Sequence, residues 1–225
     1  ASTSNSSLKA TAATTAPAGS YNVQIQQLAS SSKVALQSVS GGTGATFNSG
    51  TLAISTGDSS ISVDITEANN TLAGMRDAIN NAGSGSGITA SIITDDSGSR
   101  LVLSSTKTGD GNDIKVVGTD DGVTTGSHSL ASQTFTAVAD PDKAGSFIKP
   151  DSSVGGGAAG VIAQAKSAKL TIDGLQLVRD TNHIENALEG VTLDLVSAQS
   201  SSDLADGKTI SLTVGVDKAS VKSSL

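Results

Sequence analysis

Alternation of apolar and polar residues is the main pattern along this chain, and it predicts a protein built mainly from β-strands. Side chains of a strand point alternately to its two faces, so a strand with one buried face shows a period of two. Two of the alternating segments flank the turn at 57–60, and we expect them to form a hairpin. The strands are predicted at 21–29, 33–36, 51–54, 61–65, 88–93, 101–104, 114–117, 168–173, 175–178, 191–195 and 210–216, with a weaker one around 133–138.

One segment has the period of an α-helix. Leu72, Met75 and Ile79 recur at intervals of three and four, which places them on a single helical stripe. Thr71, or the asparagine before it, is the expected N-cap. We expect the stripe to pack against a sheet and the helix to end at Asn81 or Gly83, with Asn80 contributing to the chemistry of the helix end.

A second, shorter helix is predicted at 182–188, because Asn182-His-Ile-Glu185 has the form of a capping box and Gly190 follows. This helix would give the second ordered region the same β-β-α-β order as the first. We therefore predict an internal repeat, with independent convergence of two short amphipathic patterns as the alternative. A final helix is predicted from Asp217, and its position suggests that the chain is part of something larger.

These elements predict an α+β fold that is mainly β. We expect two small β-rich domains, each with an antiparallel sheet and a short packed helix, one inserted into the other. The first domain is discontinuous, 1–46 plus 161–225, and the second, 47–160, is inserted into it. The expected cores are Tyr21, Val23, Ile25, Leu170, Ile172, Leu193 and Leu195 in the first, and Leu52, Ile54, Leu72, Met75, Ile79, Ile92 and Leu101 in the second.

Composition supports folded domains and argues against several partners. Hydrophobic residues make up 36% of 225 residues, but there are three Phe, one Tyr and no Trp, so the cores must be aliphatic. The net charge is -7, and the sequence shows no cluster of basic residues that could bind nucleic acid. The absence of cysteine excludes disulfides and thiol catalysis. No apolar run approaches the roughly 20 residues of a membrane helix, so we expect no membrane partner.

Candidate chemical motifs are weak. Residues 155–160 fit the G-x-G-x-x-G pattern, but no hydrophobic strand precedes them, which favours a linker over a nucleotide site. Residues 109–114 resemble a single calcium-binding nonapeptide, and an Asx turn explains them better. His128 and His183 have no ligand-spaced neighbours in the sequence. The sequence therefore predicts no enzyme, no cofactor and no metal site.

The helix and the strands after it match a known sequence motif. Segment 71–80, followed by 88–93 and 100–109, resembles the hook IN motif of bacterial flagellar axial proteins, whose namesake pair is Ile79-Asn80. Further segments follow in the order found in the flagellar filament-capping family, hook-associated protein 2. Those segments are 18–29, 49–54, 170–174 and 190–195, so that the resemblance covers nearly the whole chain except about 119–165.

This resemblance implies a structural function. Members of the family sit as an oligomer at the growing tip of the extracellular filament and promote the insertion and folding of flagellin. The chain would be a head-domain fragment whose partners are flagellin and, through the full-length protein, further copies of itself. Heads of some members bind host glycans, so adhesion is a further expectation. The alternatives are outer domains of a hook-filament junction protein or of flagellin, and, more distantly, an enzyme. The motif residues expected to be structural are Thr71, Leu72, Met75, Ile79 and Asn80.

Overall fold

The structure, a computed structural model, describes residues 1–215, and within them it contains fifteen β-strands and two α-helices. All ladders between these strands are antiparallel, and the predicted α+β, mainly β class is confirmed. The strands are β1 (Ser2–Thr3), β2 (Leu8–Ala12), β3 (Gly19–Gln27), β4 (Ser31–Ala35), β5 (Gly50–Thr56), β6 (Ser59–Ile65), β7 (Ile88–Asp95), β8 (Gly98–Thr108), β9 (Ile114–Asp120), β10 (Gly160–Ala163), β11 (Ala168–Ile172), β12 (Leu175–Arg179), β13 (His183–Leu188), β14 (Val191–Leu195) and β15 (Ile210–Val214), and the helices are α1 (Leu72–Gly83) and α2 (Ser201–Ala205).

The chain forms two compact units. The first comprises Ala1–Ala29 and the chain from Lys166 onward, and the second is Ser30–Ala165. These bounds differ from the predicted 1–46 plus 161–225 and 47–160. The reason is β4, which pairs with β8 and with β10 and therefore belongs to the second unit.

The first unit contains a five-stranded sheet, in the order β1-β15-β3-β11-β12, and a three-stranded sheet, in the order β13-β14-β2. In several strands of these sheets, such as β14 and β15, alternate residues are buried, as expected for strands with one face on the core and one face in solvent. Tyr21 is only partly buried against this core. The buried core residues are Leu8, Val23, Ile25, Ala29, Ala168, Leu170, Ile172, Ile184, Val191, Leu193, Leu195, Ile210, Leu212 and Val214.

The predicted helix at 182–188 is wrong, because this segment forms strand β13. Ile184 is buried while its neighbours His183 and Glu185 are exposed, which is a period of two. Asn186 has φ 58°, a left-handed conformation that an α-helix does not contain. The short helix of this unit is α2, capped by Ser200, and none of its residues is buried.

The predicted β-β-α-β repeat is therefore wrong as well. In the second unit, β5 and β6 are followed by α1 and then β7, whereas in the first unit β11 and β12 are followed by two further strands. The pairing also differs, since β7 pairs with the strand after it and β14 pairs with the strand before it and with β2. The predicted helix from Asp217 lies outside the described residues.

The second unit contains a four-stranded sheet, in the order β10-β4-β8-β7, a three-stranded sheet, in the order β6-β5-β9, and helix α1. The predicted hairpin is present as β5 and β6. At 133–138 there is no strand; Phe135 instead makes an isolated bridge to Val116, and a 3-10 helix covers Leu130–Gln133. Ile92 is only partly buried. The core residues include Val34, Leu36, Phe47, Leu52, Ile54, Val63, Ile65, Leu72, Met75, Ile79, Ile88, Leu101, Leu103, Ile114, Val116 and Leu130.

Candidate functional site

Helix α1 of the hook IN segment begins with a side-chain cap. Thr71 has extended backbone angles, and its hydroxyl oxygen accepts a hydrogen bond from the Gly74 N–H at 3.0 Å. Such a cap satisfies one of the backbone N–H groups that the first helical turn leaves unpaired, and it is worth about 1 kcal/mol. The Leu72 N–H also donates to Ala45 O at 2.9 Å, so the start of the helix is fixed to a neighbouring segment.

The apolar stripe of α1 is enclosed. Leu72, Met75 and Ile79 are fully buried in the core of the second unit, together with Leu52 and Ile54 of β5. Burial of side chains of this size contributes about 1.5–3 kcal/mol each. The structure therefore places these three motif residues in packing contacts, out of reach of an outside ligand.

Asn80 bridges the helix to the edge of a sheet. Strand β7 is the last strand of its sheet, and the Ala90 N–H donates to Asn80 Oδ1 at 2.7 Å while Asn80 Nδ2 donates to Ala90 O at 3.0 Å. The planar side-chain amide thus takes the place of a neighbouring strand at one residue. Helix α1 ends at Gly83, one of the two residues predicted to terminate it, and Asn80 lies in its last turn with its side chain paired to β7.

Gly83 explains how the helix comes so close to this strand. A Cβ atom at this position would lie 2.2 Å from Ile88 O, well inside van der Waals contact. Only glycine therefore allows the end of α1 and the start of β7 to meet at this distance.

A second internal contact involves Arg100 on β8, whose side chain is only 2% exposed. Its Nη1 donates to Ala158 O at 3.1 Å, its Nη2 donates to Asp151 O at 2.7 Å, and its Nε lies 3.1 Å from Asp95 Oδ2. The guanidinium thus holds the glycine-rich loop against the sheet. The glycines at 155–157 belong to a hydrogen-bonded loop, and no strand leads into them.

The carboxylates around Arg100 are held in their ionised form. Hydrogen bonds from Ser97, followed by the charge of Arg100, keep the pKa of Asp95 below its ordinary value. Hydrogen bonds from Ser153 likewise lower the pKa of Asp151. A general acid or base at neutral pH needs a pKa near 7. These two groups are shifted in the opposite direction, which fits a structural role.

The fold brings two acidic side chains to His183. Its Nδ1 lies 2.6 Å from Asp194 Oδ1 on β14, directly across the ladder, and its Nε2 lies 3.4 Å from Glu185 Oε1. The hydrogen bond to Asp194 and then that to Glu185 raise the pKa of His183. All three side chains are exposed, and ion pairs of this kind contribute little to stability.

The other candidate residues have local structural roles. Within residues 1–215, no three His, Cys, Asp or Glu side chains lie where they could share a metal ion, and no helix is long and apolar enough to cross a membrane. The His128 ring lies 5.3 Å from the ring of Phe47. Asn112 Nδ2 donates to Thr108 O at 2.8 Å and so closes the turn that resembles a calcium-binding repeat.

Two protein-family models match the sequence: the flagellin hook IN motif at 51–107 and the flagellar hook-associated protein 2 C-terminus at 165–225. The B-type flagellar hook-associated protein 2 of Pseudomonas aeruginosa is 45% identical over 216 residues, which are 96% of this chain and 42% of that protein. The A-type protein of Pseudomonas aeruginosa is 35% identical over 221 residues, again 96% and 42%. The chain thus spans less than half of the curated relatives.

Solved structures agree with these matches. The crystal structure of FliD from Pseudomonas aeruginosa has a TM-score of 0.82 at 44% identity, over 96% of this chain and 87% of that one. The D2-D3 domains of the flagellar cap protein FliD from Escherichia coli give 0.71 at 29% identity, over 96% and 98%. The C-terminal match separates hook-associated protein 2 from the junction-protein and flagellin alternatives. The chain belongs to the flagellar hook-associated protein 2 family, the FliD family of flagellar cap proteins.

Proposed function

We propose that this chain is the head of a flagellar filament cap. As part of its full-length protein it oligomerises at the extracellular tip of the filament and promotes the assembly of flagellin there. The observation that carries this proposal is the similarity to FliD of Pseudomonas aeruginosa over 96% of the chain, which includes both compact units.

The internal contacts support a structural role. The hook IN stripe is buried, the Asn80 amide is paired with the backbone of Ala90, and Arg100 is paired with loop carbonyls. Buried polar groups that are paired in this way help to make a region rigid. A body that stays at the filament tip while subunits pass needs such rigidity, and it needs no catalytic group. We therefore propose that the protein is not an enzyme.

Host adhesion receives less support from the structure. Sugar rings are often bound by stacking on exposed aromatic side chains, and here Phe47 and Phe135 are buried while Tyr21 and Phe147 are half-buried. Flagellin is accordingly the partner that we propose. Binding of the chain to a glycan array would add adhesion to this function without replacing it.

The proposal is tested in the bacterium that encodes the full-length protein. Replacing the segment 1–215 with a short flexible linker removes both units and retains the rest of the protein. We expect short or absent filaments and unpolymerised flagellin in the culture medium, with both effects reversed by the unaltered gene. Filaments of normal length, with no free flagellin, would show that the proposal is wrong.

A further inference from the structure

Strand β12 leaves an unpaired edge on the first unit. It is the last strand of its sheet and pairs with β11 through the two-residue turn Asp173-Gly174, in which both residues have positive φ. Such a hairpin closes on a hydrogen-bonded pair, and the pairing then alternates along the strands. This alternation directs the backbone N–H and C=O groups of Gln176 and Val178 away from β11, towards the open side.

The same strand exposes aliphatic side chains. Leu175 is 73% exposed and Val178 is 51% exposed, while Leu177 between them is half-buried. Edge strands are usually protected by a bulge, an inward charge, a lysine or a proline. The register of β12 with β11 is regular over all five residues. Its one charged residue, Arg179, stands at the far end, where its Nη1 donates to the Val178 carbonyl at 2.9 Å. This exposed local bond is replaced by a backbone bond when a strand pairs with the edge.

Most of the other outer edges in the described part of the chain are covered by side chains or loops. The edge of β7 is covered by Asn80, and that of β9 by Phe135, whose backbone exchanges two hydrogen bonds of 2.8 Å with Val116. The edge of β10 is covered by Ile148, whose carbonyl accepts from the Val161 N–H at 2.9 Å.

The remaining edges of the described residues are short, irregular or polar. Strand β1 has two residues, β13 has a register shift after Glu185, and β2 exposes Lys9. Strand β6 exposes serines, and its Asp64 carbonyl accepts from Asn69 Nδ2 at 3.0 Å. An open edge with exposed aliphatic side chains therefore distinguishes β12.

We propose that β12 pairs with β12 of a second copy of this chain, antiparallel and about a two-fold axis through Leu177. In this register Gln176 lies opposite Val178 of the second copy, so the outward backbone groups pair with one another. Leu177 lies opposite itself, and Leu175 lies against the aliphatic stem of Arg179. The surface is thus complementary to itself, as a two-fold interface requires.

The charges also favour a second copy, and the small contact area limits the strength of the pairing. The two Arg179 side chains lie at opposite ends of the paired strands, each beside the acidic turn residue Asp173 of the other copy, so like charges do not face each other. A pair of five-residue strands buries far less than the roughly 800 Å² per partner of a stable complex. The contact is therefore weak between separate chains, and it strengthens where a larger assembly holds the heads close together.

The chain contains no cysteine, so a single introduced thiol tests this geometry. Leu177→Cys places two thiols opposite each other at a non-hydrogen-bonded position, where Cβ atoms come close enough for a disulfide. Val154→Cys is the control, since Val154 is 82% exposed and lies in the second unit. Under mild oxidation we expect at least ten times more disulfide-linked dimer from L177C than from V154C. Equal dimer formation would overturn the proposal.

A second substitution in β12 distinguishes disulfide formation through strand pairing from disulfide formation through random collision. In the L177C background, Val178→Pro removes an outward N–H without removing a bond to β11, so the strand keeps its ladder. We expect dimer formation to fall to the level of V154C, with an unchanged circular dichroism spectrum. Sedimentation of the unaltered chain is a readout that needs no variant. A weight-average mass that rises with concentration supports the contact, and a strictly monomeric protein at millimolar concentration would overturn it.

Discussion

Replacement of Asn80 by alanine tests the assigned role of the residue that gives the hook IN motif half its name. The variant Asn80→Ala removes the two hydrogen bonds that the side-chain amide makes with the Ala90 backbone, at 2.7 and 3.0 Å. The Ala90 N–H and C=O then remain on the outer edge of β7. Because Ala90 is only 9% exposed, water replaces the lost amide poorly.

The size of the effect follows from these contacts. Each lost hydrogen bond costs about 0.5–1.5 kcal/mol net, which gives about 1–3 kcal/mol for the pair. Alanine is a better helix former than asparagine by roughly 0.5 kcal/mol, and this gain opposes the loss. We therefore expect the free energy of unfolding of the second unit to fall by about 0.5–2.5 kcal/mol.

Asn81→Ala is the matched control. Asn81 is the next residue of the same helix, and its side chain is exposed. The control gains the same helix propensity and loses no contact to β7, so the difference between the two variants isolates the Asn80 amide.

The assays are urea unfolding of the intact chain and hydrogen exchange of its backbone amides. Exchange is needed because the chain has two units, and it reports the opening of β7 at Ala90 directly. N80A should speed exchange of the Ala90 amide by at least tenfold relative to N81A. Equal stability and equal Ala90 protection in the two variants would refute the assigned role of Asn80.

Three further predictions concern other contacts. Arg100→Met leaves the Asp151 and Ala158 carbonyls without their donor, and we expect a loss of about 3 kcal/mol and faster proteolysis of the glycine-rich loop. Ile79→Ala opens a cavity in a fully buried site and should cost about 2–5 kcal/mol in urea unfolding. His183 should titrate above 6.5 in an NMR experiment, and Asp194→Asn should lower its pKa. Because the folded pKa is raised, the stability from this pair is complete below pH 6.5 and is lost as the pH rises through the folded pKa. Unchanged proteolysis, a cost below about 1 kcal/mol, or an unshifted histidine would contradict the respective assignment.

Regular segments could be predicted from the sequence because their signals are local. The hairpin of β5 and β6 follows from alternation on both sides of a short turn, and α1 follows from Leu72, Met75 and Ile79 on one stripe. Each pattern indicates which side chains face a core, and this does not depend on how the rest of the chain folds.

Segment 182–188 shows where such local signals fail. Ile184 and Leu188 are four residues apart, which suits a helix face, yet Ile184 also alternates with exposed His183 and Glu185. The segment forms a strand because it pairs with β14, which would otherwise have no partner on that side. That partner is set by the fold of the whole unit, and the capping-box pattern does not contain it.

The roles of Asn80 and Arg100 depend on partners elsewhere in the chain. Asn80 pairs with a strand that begins after the helix ends, and Arg100 is buried by carbonyls more than fifty residues away in sequence. The signal available for Arg100 is its position at the start of Arg100-Leu-Val-Leu103, an apolar strand where a charge requires a partner. The sequence does not identify that partner.

The central claim is that this chain forms the head of a cap at the filament tip, and immunoelectron microscopy tests it most directly. Antibodies raised against the chain, applied to intact cells of the source bacterium with gold detection, should label the distal ends of filaments. The same antibodies should give no label on cells in which the segment 1–215 has been deleted. Label along the filament shaft or at the hook junction, with bare tips, would contradict the account.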